Sequence, residues 1–328
     1  MTAAIVGVDI AKATFDVALP LEGKGKYQTR SKMPNDPKGF EQMADWLARH
    51  APEGALCMEA TGIYHEALAT FLVTQGYTVY VVNPAQVAFF AKSELSRTKT
   101  DRTDAKLIAR FAAHRQLSDK PLRAWQPPTP AQRKLRALVY RLDELTAMRQ
   151  MEVNRRESAE VTVHASIDKV VATLDEQIKA LRRQIDDHIQ GDPSLQRDDE
   201  LLRSIPGIAQ TTSAWLLASG GDLRRFDHPG KLAAFAGLNP TTRESGTWKG
   251  RRCLSKIGHA TLRAKLYMPA VVAQRYNPSI KALVDRLLAK GKPRPLAIGA
   301  AMRKLLHIAW GVIRSGKPFD PAIALAPG

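Results

Sequence analysis

Over residues 4–120 the apolar positions switch between a period of two and a period near 3.6. AIVGVDI (4–10) and FDVAL (15–19) read as two strands joined by the turn Ala11–Thr14, and Tyr27–Arg30 as a third. Pro37 to Arg49 then takes helical spacing, with Phe40, Met43, Ala44 and Leu47 on one face. ALCMEA (55–60) is a short apolar strand, followed by a helix near Tyr64–Gln75. TVYVVN (78–83) is a further strand closed by Pro84, and Asp104–His114 is a helix begun at Thr103. Three strands, then helix, strand, helix, strand, helix is the order of a ribonuclease-H-like α/β domain.

The pattern changes at residue 131. Ala131 to Gln190 contains neither Gly nor Pro, and Leu135, Leu138, Leu142 and Leu145 recur at spacings of three and four. Val170 or Val171, Leu174, Ile178, Leu181 and Ile185 repeat the motif. One straight helix of that length would span about 90 Å. The seam therefore predicts two helices, paired within the chain or with another subunit, with the break near Arg155–Ser166. Gly191–Pro193 ends this segment. LLRSIPGIAQTTSAWLLASGG (201–221) then resembles a helix-hairpin-helix, and Pro269–Ala289 and Leu296–Ile313 read as further helices. The expected domains are residues 1–125 (α/β), 126–195 (coiled-coil-like) and 196–328 (mostly helical).

Charge adds what the periodicity lacks. Of the net charge of +17 over 328 residues, residues 1–200 contribute +1 (28 Lys+Arg, 27 Asp+Glu) and residues 201–328 contribute +16 (21 and 5). Such polarisation points to a polyanionic partner, since basic side chains on phosphates release condensed counterions. Ordinary composition, 44% hydrophobic and 25% charged, excludes wholesale disorder. Two cysteines, Cys57 and Cys253, make neither a disulfide framework nor a zinc ligand set, and they suit a reducing cytoplasm. No basic leader opens the chain, and no run is expected to be long enough to cross a bilayer.

The candidate chemistry is acidic. Asp9 ends the strand GVDIAK, where burial is costly without a partner, and Glu59 ends LCMEATG. Asp101 and Asp104 fall one turn apart at the start of the next helix. If all four converge, their repulsion calls for magnesium or manganese, hard cations that take oxygen ligands. Taken singly, each has an ordinary explanation: a helix cap for Asp101 or Asp104, a turn residue for Asp9, a solvated acid for Glu59. Asp16 and Glu66 fit a strand's outer face and a helix surface.

GVDIAK (7–12), MEATGIYHEAL (58–68), NPAQVAFFAKSELSRTKTDRTDAKLIARF (83–111), SIPGI (204–208) and FAGLNPTTRESGTWKGRRCLSKIGHATLR (235–263) together resemble the DEDD transposases of insertion sequences of the one-hundred-ten type, with pilin-gene inverting recombinases as relatives. The similarity runs from Val6 to about Ile313. It implies a RuvC-like (Holliday-junction-resolvase-like) N-terminal domain whose acidic tetrad falls on Asp9, Glu59, Asp101 and Asp104. It further implies a C-terminal transposase domain with a DNA-attacking serine, matched by Ser245. A structured noncoding guide RNA, donor and target DNA, and assembly as a dimer or tetramer are also implied, as is action in the bacterial cytoplasm.

A serine hydroxyl needs help to lose its proton, and no Ser-His-Asp arrangement is legible; His228 and His259 are candidates by proximity alone. Arg243, Lys249, Arg251 and Arg252 would hold phosphate charge, with Lys256 and Arg263 in the same basic segment. Ser255 is the alternative nucleophile. Two other readings stay open: a metal-dependent junction-resolving nuclease that uses water, and a nucleic-acid-binding scaffold without catalysis.

Overall fold

The computed structural model describes residues 4–22, 25–60, 62–94, 101–119, 121–220, 222–241, 244–245, 248–249 and 253–322, and the side chains of all of these except 101–103, 244–245 and 248–249. The chain divides into two compact units, Met1–Pro127 and Pro128–Gly328.

The first unit is built on a five-stranded sheet of β1 (Ile5–Ile10), β2 (Thr14–Pro20), β3 (Tyr27–Pro34), β4 (Ala55–Glu59) and β5 (Val79–Val82), ordered β3-β2-β1-β4-β5. β1 runs antiparallel to β2 and parallel to β4, so the sheet is mixed. Strands β1, β2, β4 and β5 are largely buried on both sides, while the edge strand β3 is mostly half-buried or exposed, and alternation decides which residue meets which layer. Val6, Val8, Phe15, Val17, Leu56 and Met58 pack with α1 (Pro37–His50) and α2 (Tyr64–Thr74). Ile5, Cys57, Tyr80 and Val82 face the other way, onto α3 (Pro84–Ser93) and α4 (Asp101–Gln116).

Helix α3 is absent from the strand-helix order expected above. Its signal is in the sequence: the Asn83 side chain accepts from the Ala85 N–H at 2.9 Å and Pro84 occupies the first turn. Helix α4 also begins three residues earlier than periodicity indicates, at Asp101.

The second unit starts with α5 (Pro130–Ser158), fixed by a capping box between Thr129 and Gln132. It folds back at Ala159–Glu160 into α6 (Val161–Gln190), so the apolar seam closes as a hairpin within one chain. Leu135, Leu142, Ile178 and Ile185 share a single core with the helices that follow. These are α7 (Pro193–Arg203), α8 (Gln210–Gly220), α9 (Pro229–Phe235), α10 (Ala260–Lys265), α11 (Tyr267–Tyr276), α12 (Pro278–Ala289) and α13 (Arg294–Ser315). Between α9 and α10 lie two minimal ladders, β6 (Pro240–Thr241) with β9 (Cys253–Leu254), and β7 (Glu244–Ser245) with β8 (Trp248–Lys249).

Two expectations need correcting. The helix expected over Pro269–Ala289 is two helices, because fully buried Asn277 ends α11 and accepts the Ser279 and Ile280 N–H groups to start α12. Helix α13 is long and apolar enough to cross a membrane, contrary to the sequence expectation; most of it is buried in the core, as a central helix of a folded unit must be.

Candidate functional site

Helix α4 lies directly on β1. A Cβ built on Gly7 would stand 2.0 Å from the Ala105 carbonyl oxygen and 2.6 Å from the Ala109 nitrogen, so only glycine permits this approach. Asp9, two residues along β1, points to the same face as Gly7. Asp104 immediately precedes Ala105, and Asp101 is one turn earlier. The paired positions of β1 and β4 end with Val8 opposite Met58, so Asp9, next to last in β1, and Glu59, last in β4, follow that pair on neighbouring parallel strands. Strands so paired lie about 4.8 Å apart. Glu59 also shares the α4 face, two residues beyond Cys57, whose thiol is pushed up to about 12 first by burial and then by the Glu59 charge.

The backbone therefore gathers three strand-end and helix-start acids at one edge of the sheet. The side chains do not converge: among the described residues no three His, Cys, Asp or Glu side chains stand close enough to hold one ion. Asp9, Glu59 and Asp104 each have an interaction partner, and the Asp101 side chain lies outside the described residues. Carboxylate oxygens are hard donors, the donor chemistry that divalent magnesium and manganese take.

Asp16 is placed differently from the outer-face expectation. It is 7% exposed, pairs directly with Asp9 across β1 and β2, and shares the face covered by α4. The signal was the alternation itself: Phe15 and Val17 belong to one core, so Asp16 must point into the opposite layer, which a helix also covers.

In the second unit, Ser245 is paired with Trp248 across the β7–β8 ladder. The side chains of Ser245 and Lys249, and the whole of Arg243, Arg251 and Arg252, lie outside the described residues. The surroundings are well tied. Thr241 donates to the Cys253 carbonyl at 3.1 Å, and the Ser255 N–H donates to the Asn239 carbonyl at 2.8 Å. Arg263 donates to the Ala236 and Lys256 carbonyls at 3.1 and 3.2 Å, which makes it a staple between two loops as well as a positive charge. Lys256 is exposed. A Cβ on Gly237 would come within 2.4 Å of that Arg263 guanidinium, at φ 70°.

The two histidines near this segment are helix caps. The His228 Nδ1 accepts from the Gly230 N–H at 3.0 Å, and the His259 Nδ1 accepts from the Leu262 N–H at 3.1 Å. With Nδ1 accepting, the Nε2 of His259 carries the proton and donates to Tyr140 Oη at 2.9 Å. Burial lowers the His259 pKa, so the neutral cap is favoured. Their proximity in sequence is thus explained by α9 and α10.

The Pro206-Gly207 turn between α7 and α8 is packed on one side: the Asn277 amide donates to the Pro206 carbonyl, and a Cβ on Gly207 would strike Ala273 at 2.6 Å.

Comparison with known proteins decides the family. A DEDD-type IS110 family profile described as a transposase matches residues 6–159, and the profile of the transposase IS116/IS110/IS902 family matches residues 199–285. The pilin gene-inverting protein of Moraxella bovis is 35% identical over 98% of this chain and 99% of its own length. This chain belongs to the IS110-type transposase family. The pilin gene-inverting protein of Moraxella lacunata matches to the same extent, and the transposase for insertion sequence element IS1111A of Coxiella burnetii is 26% identical over 94% of this chain and 89% of its own. The first family profile covers the acidic edge of the sheet and the second covers the Ser245 ladder, so both candidate chemistries fall within the family's matched regions.

Proposed function

We propose that this transposase is a site-specific DNA recombinase that cuts and rejoins strands through Ser245, with Asp9, Glu59, Asp101 and Asp104 as ligands of magnesium or manganese. The observation that supports the reading is the β1–β4 register, whose last pair, Val8 opposite Met58, is followed by Asp9 and Glu59, with Ala105 of α4 seated on Gly7. The strand order, three antiparallel strands continued by two parallel ones, supports a RuvC-like assignment of the first unit.

Bound divalent cations supply charge neutralisation at the scissile phosphodiester and lower the pKa of an oxygen they touch. The chain's own residues do the rest. The Ser245 Oγ forms a bond to phosphorus as the phosphorus bond to one sugar oxygen breaks; the seryl proton leaves, and the departing oxygen takes one up. The phosphoserine ester keeps the bond energy for rejoining. Arg243, Lys249, Arg251, Arg252 and Lys256 hold the phosphate charge, and Arg263 ties Ala236 to Lys256. We further read the basic excess of residues 201–328 as the binding surface for donor and target DNA and for a structured guide RNA, with the chain acting as a dimer or tetramer in the bacterial cytoplasm.

The test is to trap a protein-linked DNA end with the element's termini. Wild type should form it and Ser245→Ala should not, while Asp9→Ala should lose cleavage as well. Full cleavage by Ser245→Ala would transfer the reading to a nuclease that uses water.

A further inference from the structure

We propose that the outer face of α11 is a stacking platform for an unpaired DNA strand, whose bases rest on Tyr267 and Tyr276. The inference rests on the reading of the chain as a recombinase that cuts and rejoins DNA. It adds a contact to base faces, which the basic side chains of that reading do not supply.

The outer face of α11 is apolar where a surface helix is ordinarily polar. The helix buries Pro269, Ala270 and Ala273, yet Tyr267, Met268, Val272 and Tyr276 are between 41% and 68% exposed. Met268, Val272 and Tyr276 recur every fourth residue and form one row; Tyr267 and exposed Arg275, eight residues apart, belong to the row beside it. The two tyrosines thus stand at opposite ends of the face, about 14 Å apart along the axis, the rise of about four stacked bases. The support beneath them is fixed. Ala273 packs so closely on the Pro206-Gly207 turn that a Cβ on Gly207 would meet it at 2.6 Å, and fully buried Asn277 ends the helix.

Charge selects the occupant. Residues 245–284 hold eight Lys+Arg and no Asp or Glu, and α11 lies within them. A second copy of the chain seated on this face would bring like charge against like, whereas a polyanion is attracted to it. The apolar rows then select the form of the polyanion. A duplex offers phosphates, sugars and base edges, and its base faces are buried against each other. An unpaired strand offers those faces, which aromatic rings stack on with little regard to sequence. Arg275 lies beside the rings to meet the strand's phosphates. Cutting and rejoining supplies such a strand, because an end must leave its old complement before it pairs with a new one.

The experiment is fluorescence anisotropy of the full chain with a labelled DNA oligonucleotide of mixed sequence, unpaired or as a duplex, and with the same sequence as unpaired RNA. Wild type is compared with Tyr267→Ala, Tyr276→Ala, Tyr276→Phe, Arg275→Gln and Phe89→Ala, the last an exposed aromatic of the first unit that serves as the control. Each tyrosine-to-alanine change should weaken binding of the unpaired DNA at least about fivefold and leave duplex binding within about twofold. Tyr276→Phe keeps the ring and should bind as wild type does, as should Phe89→Ala. Removing a ring releases no counterion, so the alanine variants should keep the wild-type salt slope, while Arg275→Gln should flatten it by about 0.7. Thermal melts check folding, and the contrast between Tyr276→Phe and Tyr276→Ala separates loss of the ring from loss of the hydroxyl. If both alanine variants bind unpaired DNA within about twofold of wild type, the platform is refuted and the recombinase reading stands. An equal loss on the duplex would give the face to backbone contacts, a larger loss on RNA than on DNA would give it to RNA, and a fall in sedimentation mass with DNA binding intact would give it to a second copy; each overturns the inference. If wild type binds DNA in neither form, the recombinase reading itself fails and the platform with it.

Discussion

Replacing Gly7 by alanine tests the packing on which the acidic edge depends. The added Cβ would meet the Ala105 carbonyl oxygen at 2.0 Å and the Ala109 nitrogen at 2.6 Å, and both atoms are backbone. No rotamer change can relieve the clash, so α4 must retreat from β1 by about 1.4 Å to restore ordinary contact. A gap approaching 1 Å forfeits a quarter to a half of the local dispersion energy. The loss falls on Ile108, Phe111 and Ala112, which are buried against Ile5, Cys57 and Tyr80. Overpacking of this kind costs about 3 kcal/mol. The same displacement carries Asp104 away from Asp9, and misplacement by about 1 Å costs on the order of a hundredfold in rate. Urea denaturation of Gly7→Ala, read alongside strand cleavage at a temperature where the variant remains folded, separates the two effects. Ala109→Gly should not rescue it, because the closest atom belongs to the Ala105 backbone. A Gly7→Ala protein with unchanged midpoint and undiminished cleavage would show that α4 does not sit on β1 as described.

Three other outcomes follow from particular contacts. Asn277→Ala removes the acceptor of two N–H groups and a donor to the Pro206 carbonyl, all in a fully buried position, and should cost about 2–3 kcal/mol by denaturant titration. His307 is held neutral, its pKa lowered to about 4 by burial first and then by Arg303, Lys304 and His228. The unfolded chain binds that proton near pH 6.5, so stability contributed by the neutral ring is present above pH 6.5 and is lost as pH falls toward 4. His307→Gln should flatten the melting temperature over that window, by an amount reduced because the ring is only half-buried. Finally, with its thiol raised to about 12, buried Cys57 should resist iodoacetamide in the native protein while exposed Cys253 reacts; mass spectrometry should find the Cys57 adduct only after denaturation.

Periodicity made the sheet legible because its strands are short, apolar and bounded by turns. It gave the order of the first unit apart from α3, where ten residues of mixed polarity hide a helix whose evidence is only the Asn83-Pro84 start. The same limit applied at Asn277, where an apolar run continues through a buried cap and spacing alone sees one helix. The apolar seam of α5 and α6 was plain, but whether it closed within the chain depended on a two-residue break that carries no Gly or Pro. At the acidic edge, strand-end positions pointed to Asp9 and Glu59, since a charge closing an apolar strand is visible in one dimension. Asp16 was not visible in that way. It sits mid-strand, and its burial depends on α4 covering β2 as well as β1.

Folding also redistributes the charge that the sequence places so unevenly. The second unit takes in residues 128–200, which bring 12 Lys+Arg and 14 Asp+Glu, so its balance becomes +14 from 33 basic and 19 acidic residues. Much of the added acid is spent locally: Arg149 pairs with Asp175 and Arg156 with Asp168 along the helical hairpin. Asp198 engages Arg224, and Asp143 engages Lys265, drawing two bases of the later helices into structural pairs. Among the described pairs of the later segment, Lys231–Asp227 and Lys281–Asp285 are exposed contacts one helical turn apart, which cost the surface little of its positive potential. The acids of the hairpin thus neutralise mainly the hairpin. The surplus stays with the segment that carries Ser245, where a phosphate backbone would release the most counterions.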